Sequence, residues 1–378
     1  MSTILQIIPS LGAGGAEQAC VDVASGLVAA GHHAIVVSNG GPRVAEILQA
    51  GGEHVQISAH SKNPAIMLQN ALWLAKFIRA QKVSVVHARS RAPAWSAWLA
   101  CKMTGCPFVT TNHAAYKFSN GIKKFYNSVM VRADRIIAIS DFIDKHIQEN
   151  YGIAADHIRT VPRGIDLYKF ALDQVTDERR NALRQAWNVK EGAALILVPS
   201  RLSPIKGQTV LVEAMALLSQ NLSNVIAVIL GHDQGRVGYR QQLTDLIKAR
   251  DLQDRVKLVE HCDDMPAAYS LASLVVAPSL VPEGFGRVPV EAMVMGVPII
   301  ATELGGFTET ISPGATGWLV PPNDPQALAL SIVKVFGQTE EERNLIIKTA
   351  MQHARALYDK NKMVADTLLV YDELVRPR

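Results

Sequence analysis

Cysteine is scarce and scattered. The 378-residue sequence has four, Cys20, Cys101, Cys106 and Cys262, with neither a disulfide-framework spacing nor a zinc-type cluster with histidines, so a stapled secreted domain is excluded and a reducing compartment expected. No apolar stretch reaches the ~18 residues of a spanning helix. The start, MSTILQIIPS, enters a strand-like run with no basic leader or cleavage pattern, so the expected location is the cytoplasm, or peripherally the inner face of the cytoplasmic membrane. Aromatic residues make up 6% and charged residues 19%. That is too thin a basic and aromatic supply for a nucleic-acid surface, so no nucleic-acid partner is expected.

The net charge of +4 hides an asymmetry. Residues 1–170 carry 17 Lys and Arg against 10 Asp and Glu, and the remainder 21 against 24. Residues 101–135 alone hold six basic residues and one acid, Asp134. An anionic surface or a small anionic ligand fits this front half.

Length implies two domains, at a prior of about 150 residues each. Short β-branched runs alternate with helical stretches: ILQII, AIVVS, HVQIS, VSVVHA, FVTT, RIIAIS and IRTVP. After the polar segment from Phe170 to Gly192 the pattern restarts with AALILVPS, VIAVIL, VKLVE, LVVAPS, VPIIAT and GWLV. Strands alternating with helices imply parallel sheets covered on both faces. The expected class is therefore α/β, two doubly wound domains facing across a cleft at their strand C-termini. The boundaries read as 1–169, 170–358 and a terminal helix over 359–378, packed on the second domain or back on the first.

Several short stretches carry chemistry. In PEGFGRVPVEAM, Glu291 stands at the head of an apolar helical run, where a carboxylate suits the positive helix end. Glu283 precedes the turn and has no such role; Gly284 and Gly286 let backbone N–H groups approach an anion. SRLSPIKGQ follows the first strand of the second series and supplies Arg201 and Lys206, a guanidinium and an ammonium suited to a diphosphate. PSLGAGGAEQA lacks the third glycine of a dinucleotide fingerprint, Glu17 standing there, and the second strand ends in Ser38 and Asn39 rather than an acid, which disfavours a nicotinamide cofactor. What remains is a glycine turn at a helix start, a phosphate neighbour or simply a sharp bend. HARSRAPAWSAW presents His87, Arg89, Arg91 and Trp95, either a basic helix start over a core tryptophan or a binding face for phosphates and sugar carboxylates. YKFSNGIKKFYNSVMVR sets Phe118, Ile122, Phe125, Tyr126 and Val129 at helical spacing beside Lys117, Lys123 and Lys124, a pattern that serves as core or lies in a membrane interface.

Taken together, SRLSPIKG, EGFGRVPVEAM, GVPIIATELGG, GGAE and PRGID resemble the nucleotide-sugar-dependent glycosyltransferases of family 4, in order from Ile7 to about Val320. That resemblance implies the GT-B architecture of two Rossmann-like domains and retention of configuration at the transferred sugar. It implies that Glu291 binds ribose hydroxyls, that Glu283 contacts the sugar, and that backbone around Gly284, Phe285, Gly286 and Arg287 holds the diphosphate with Arg201 and Lys206. Gly14 and Gly15 of GGAE fall on the donor side. His113, ending FVTTNH, resembles the active-site histidine; Arg89 and Arg91 fall on the acceptor side. RSRAPAW and PEGFGRV are further similar to bacterial lipopolysaccharide-core enzymes, which implies a glycan or glycolipid acceptor. Two departures stand out: Ser200 replaces the usual glycine before Arg201, and Glu260 stands where many relatives have glycine. With no Asp-x-Asp element, no metal and no cofactor beyond the nucleoside diphosphate sugar are expected. The rivals are a sugar-nucleotide epimerase on the same fold and a non-catalytic nucleotide-sugar binding protein.

Overall fold

The computed structural model describes residues 1–12, 14–218, 222 and 224–375; Ala13 of the glycine turn lies outside them. The chain divides into two compact units, Met1–Gly164 with Lys360–Arg378, and Ile165–Asp359.

The first unit is built on β1 (Thr3–Ile7), β2 (His33–Ser38), β3 (Glu53–Gln56), β4 (Val85–Ala88), β5 (Phe108–Asn112), β6 (Arg135–Ala138) and β7 (Ile158–Thr160). All pair in parallel, in the order β3-β2-β1-β4-β5-β6-β7. The second unit has β8 (Ala194–Pro199), β9 (Val225–Leu230), β10 (Val256–Val259), β11 (Leu274–Ala277), β12 (Ile299–Thr302) and β13 (Trp318–Val320), parallel and ordered β10-β9-β8-β11-β12-β13. Each strand falls on one of the runs read from the sequence. Parallel strands covered on both faces need continuous apolar runs rather than alternation, and β9, VIAVIL, is buried at every position.

In both sheets the order reverses beside the first strand of the unit: between β1 and β4, and between β8 and β11. Chain leaving neighbouring strands there diverges to opposite faces and opens a crevice at their carboxyl ends. Gly14 and Arg89 follow β1 and β4, while Arg201 and Glu283 follow β8 and β11.

The boundary falls after Gly164 rather than after Lys169. The terminal helix Lys360–Asp372 belongs to the first unit, where Met363, Val370 and Tyr371 join the core with Leu27 and Val36. Val364 packs so closely on Gly26 of the helix Gly15–Ala29 that a Cβ there would collide with it. Beyond the helix, Glu373 accepts from Arg135 Nε at 2.6 Å and Arg159 Nε at 2.8 Å, tying it to the starts of β6 and β7. Arg159 and then Arg135 hold its carboxyl below the usual range.

Candidate functional site

In the second unit the turn Pro204–Lys206 follows β8 and ends on Gly207, whose φ of +67° and contact with the Pro278 carbonyl leave no room for a Cβ. Lys206 is held there by its charge. Its Nζ lies 2.6 Å from Glu283 Oε1, which also accepts from Ser279 Oγ at 2.7 Å. The sequence assigned these two residues to different parts of a ligand; the structure makes them an ion pair. Two of the three ammonium N–H groups and the whole of Oε2 remain for other partners. Arg201 differs: it is exposed, and its side chain makes no hydrogen bond or ion pair among the described residues. Ser200 accepts from Gln208 Nε2 at 2.9 Å, so the hydroxyl that replaces glycine braces the loop.

Glu283 and Gly305 form an isolated bridge, and Gly306 donates to the Glu283 carbonyl at 2.8 Å. Gly284 continues that segment. Phe285 is buried, its ring 5.2 Å from that of Tyr358. Gly286 turns the chain at φ +103°, with the Phe307 ring where a Cβ would sit, and caps the helix Arg287–Val294. Glu291 is the fifth residue of that helix, past the first turn, so the helix-end role expected for it does not apply. Instead it is 8% exposed and clamped: Tyr269 Oη donates to Oε2 at 2.8 Å, and Arg287 Nη2 and Nε donate to Oε1 at 2.7 and 3.2 Å. Oε1 is thereby filled by its two guanidinium donors, and Oε2 keeps one lone pair. Burial and the adjacent Glu291 charge push the Tyr269 hydroxyl well above its ordinary value. Glu260 pairs with Arg240 at 2.8 Å.

In the first unit Gly14 caps the helix that begins at Gly15, and the Glu17 carboxylate folds over Gly14. Arg43 laces this turn, its Nε donating to the Gly12 carbonyl at 2.9 Å and its Nη1 to Gln18 Oε1 at 2.6 Å. At the end of β4, His87 is fully buried, bonded through Nδ1 to Tyr371 Oη at 2.6 Å and through Nε2 to Thr111 Oγ1 at 2.7 Å. Arg89, 4% exposed, donates from Nε to Gln6 Oε1 at 2.6 Å, while its Nη2 has no partner. Arg91 lies over the Tyr116 ring at 4.3 Å and donates to Asn127 Oδ1 at 2.9 Å. His113 follows β5; its Nδ1 is 2.9 Å from Arg163 Nη1 and its Nε2 is buried without a partner. Burial first, then the charges of Arg163 and Arg89, hold the His113 ring well below pKa 6.5.

Comparison with known proteins decides the family. The model of glycosyl transferases group 1 matches residues 179–353 and that of Glycosyltransferase Family 4 matches residues 13–169. A crystal structure of a glycosyltransferase from Rickettsia africae ESF-5 is 33% identical, with a TM-score of 0.92 over 100% of this chain and 99% of that one. The chain belongs to glycosyltransferase family 4. HepE of Anabaena, solved in complex with UDP, is 26% identical, with a TM-score of 0.85 over 98% of this glycosyltransferase and 100% of its own chain. The D-inositol 3-phosphate glycosyltransferase of Salinispora tropica is 28% identical over 77% of this chain, and the matched stretch spans 64% of that relative's own length.

Five residues of this glycosyltransferase were not legible as site members: Arg163, Tyr269, Ser279, Gln6 and Tyr371. Arg163 sits inside PRGID, and its charge one residue before a glycine was the available signal. Tyr371, in the terminal helix, reaches His87 from 284 positions away, and no local pattern carries such a pairing.

Proposed function

We propose that this glycosyltransferase moves a sugar from a uridine diphosphate sugar, with retention of configuration and without a metal, to a hydroxyl of a cell-envelope glycan or glycolipid such as a lipopolysaccharide core. The observation that carries the donor class is that HepE, alike in fold over nearly the whole chain, is solved with UDP and with UDP-glucose. The second unit has groups for each part of such a donor. Glu291, oriented by Tyr269 and Arg287, offers the remaining lone pair of Oε2 to a ribose hydroxyl. Arg201, unneutralised, and Lys206, with two N–H groups to spare, would stabilise the charge that grows on the leaving diphosphate. Glu283, fixed by Lys206 and Ser279, offers Oε2 to a sugar hydroxyl. The leaving phosphate then helps to deprotonate the acceptor on the same face of the sugar, because no further carboxylate is assigned as a nucleophile. In the first unit, the backbone at Gly14 and Gly15 is assigned to donor binding, and Arg89 and Arg91, after β4, to acceptor binding.

The test is incubation of the full chain with UDP-sugars, with and without a glycolipid fraction, in excess chelator. Release of UDP only with acceptor, and a product of unchanged anomeric configuration, is the expected result. An isomerised donor would make the protein an epimerase, and binding without turnover a nucleotide-sugar binding module. Activity lost in chelator and restored by magnesium or manganese would overturn the metal-free part.

A further inference from the structure

We propose that Arg89 and His113 together form an oxyanion site within the first unit, which takes a phosphate or carboxylate group of a substrate. The starting point is a buried guanidinium. Arg89 makes no ion pair among the described residues, and Nη2 is left without a partner. Gln6 cannot swing to serve it better, since its own amide nitrogen donates to the Cys20 carbonyl at 3.1 Å and keeps its oxygen on Arg89 Nε. A lysine or histidine in such a place escapes the cost of burial by losing its proton; a guanidinium does not, and stays charged. An unpaired buried charge of this kind is a binding group for an anion.

His113 supplies the second donor, and its tautomer follows from its neighbour. Arginine has N–H donors and no acceptor, so Arg163 Nη1 at 2.9 Å obliges His113 Nδ1 to accept. The proton of the neutral ring is then on Nε2, the atom that has no partner. With Nδ1 occupied and Nε2 protonated, the ring has no lone pair with which to act as a base; it can only donate. Arg163 is thus a positioning residue. The two residues leave neighbouring strand ends: β4 and β5 pair in parallel with Ala88 opposite Thr110, Arg89 follows the first strand and His113 the second. The Arg89 charge acts on both His87 and His113. One charged and one neutral N–H at adjacent strand ends suit two oxygens of a single oxyanion.

As a statement about a substrate the proposal rests on the transferase reading, but binding itself does not. The probe is inorganic phosphate, titrated into the full chain at constant ionic strength and followed by nitrogen-15 histidine spectra, with His113 assigned through His113→Gln. Expected is an Nε2–H tautomer before addition and a saturable shift of the His113 signal on addition. Arg89→Met should abolish the shift while the His87 signal persists, and Arg163→Gln should mix the tautomers and weaken phosphate at least about tenfold. An Nδ1–H or doubly protonated His113 at neutral pH, no saturable response in the wild type, or an unchanged response in Arg89→Met would each overturn the site. A second arm assigns the source: UDP displacing phosphate from the His113 signal makes the oxyanion that of the donor, whereas simultaneous binding makes it one carried by the acceptor. Phosphate binding without transfer from any nucleotide sugar would sink the transferase reading alone, and transfer without a phosphate response would sink this site alone.

Discussion

At the scale of single residues, the second unit orients its acids with neighbours that are not themselves expected to touch a ligand. Tyr269 is fully buried, and its hydroxyl serves Glu291. Tyr269→Phe leaves a buried carboxylate short of a donor, so it should cost about 1–3 kcal/mol of stability. UDP affinity should fall by about tenfold if Glu291 must be held for the ribose; calorimetry with UDP checks this, and unchanged affinity would remove Tyr269 from the donor site. A second expectation concerns acid. His87 and His113 both have folded pKa values well below 6.5, burial being the first cause in each and Arg89 adding to both. A lowered histidine pKa means that the unfolded chain takes up the proton first. The stability these neutral rings contribute is complete above the unfolded value and is lost as pH falls from there toward the folded one. Urea midpoints should therefore drop between about pH 6.5 and 5.5, by up to roughly 1.4 kcal/mol per pH unit for each ring. His87→Gln should flatten that slope; an unchanged slope would mean that the acid sensitivity arises elsewhere.

Elements show why some motif residues are replaceable and others are not. The turn after β8 needs Gly207 for a left-handed φ and for the approach of the Pro278 carbonyl. Gly207→Ala adds strain and a backbone clash together, an expected loss of about 2–4 kcal/mol. Thermal unfolding measures it, with Gly238→Ala, at a position where a Cβ meets nothing within 4 Å, as the comparison. The basic stretch after β5 divides between the two readings that periodicity left open. Val129 and Met130 are buried, whereas Ile122 is 82% and Phe125 59% exposed, beside exposed Lys123 and Lys124 on the helix Gly121–Asn127. A short helix carrying exposed apolar and basic side chains together is suited to an anionic lipid surface, each basic residue contributing about 1 kcal/mol there. Flotation with anionic vesicles at low salt should retain the wild type and release the Lys123→Glu, Lys124→Glu double variant. Equal behaviour of the two would place the acceptor encounter away from lipid.

For the whole molecule the decisive fact is that the first unit is discontinuous in sequence, Met1–Gly164 completed by Lys360–Arg378. The terminal helix covers core residues of the helix Gly15–Ala29 and satisfies His87 through Tyr371. Burying side chains such as Met363 and Val370 contributes about 1.5–3 kcal/mol each. Residues 1–164 produced alone should therefore aggregate or bind hydrophobic dye, and the same segment joined by a flexible linker to 360–378 should unfold cooperatively. Equal cooperativity in the two would show the helix to be dispensable. That division also marks what sequence alone determined here. Strand positions, both doubly wound sheets, and the placing of Arg201, Glu283 and His113 beyond strand ends were legible, because each rests on local apolar runs and the residues that stop them. Pairings were not. Lys206 with Glu283, Tyr269 with Glu291, Arg163 with His113 and the return of the terminal helix to β4 all join residues far apart in sequence. Local periodicity holds no information about which strand end will neighbour which. Only the order of strands in the folded sheets brings these groups within hydrogen-bond reach, and with it decides which charges are neutralised by the protein itself and which are left for a ligand.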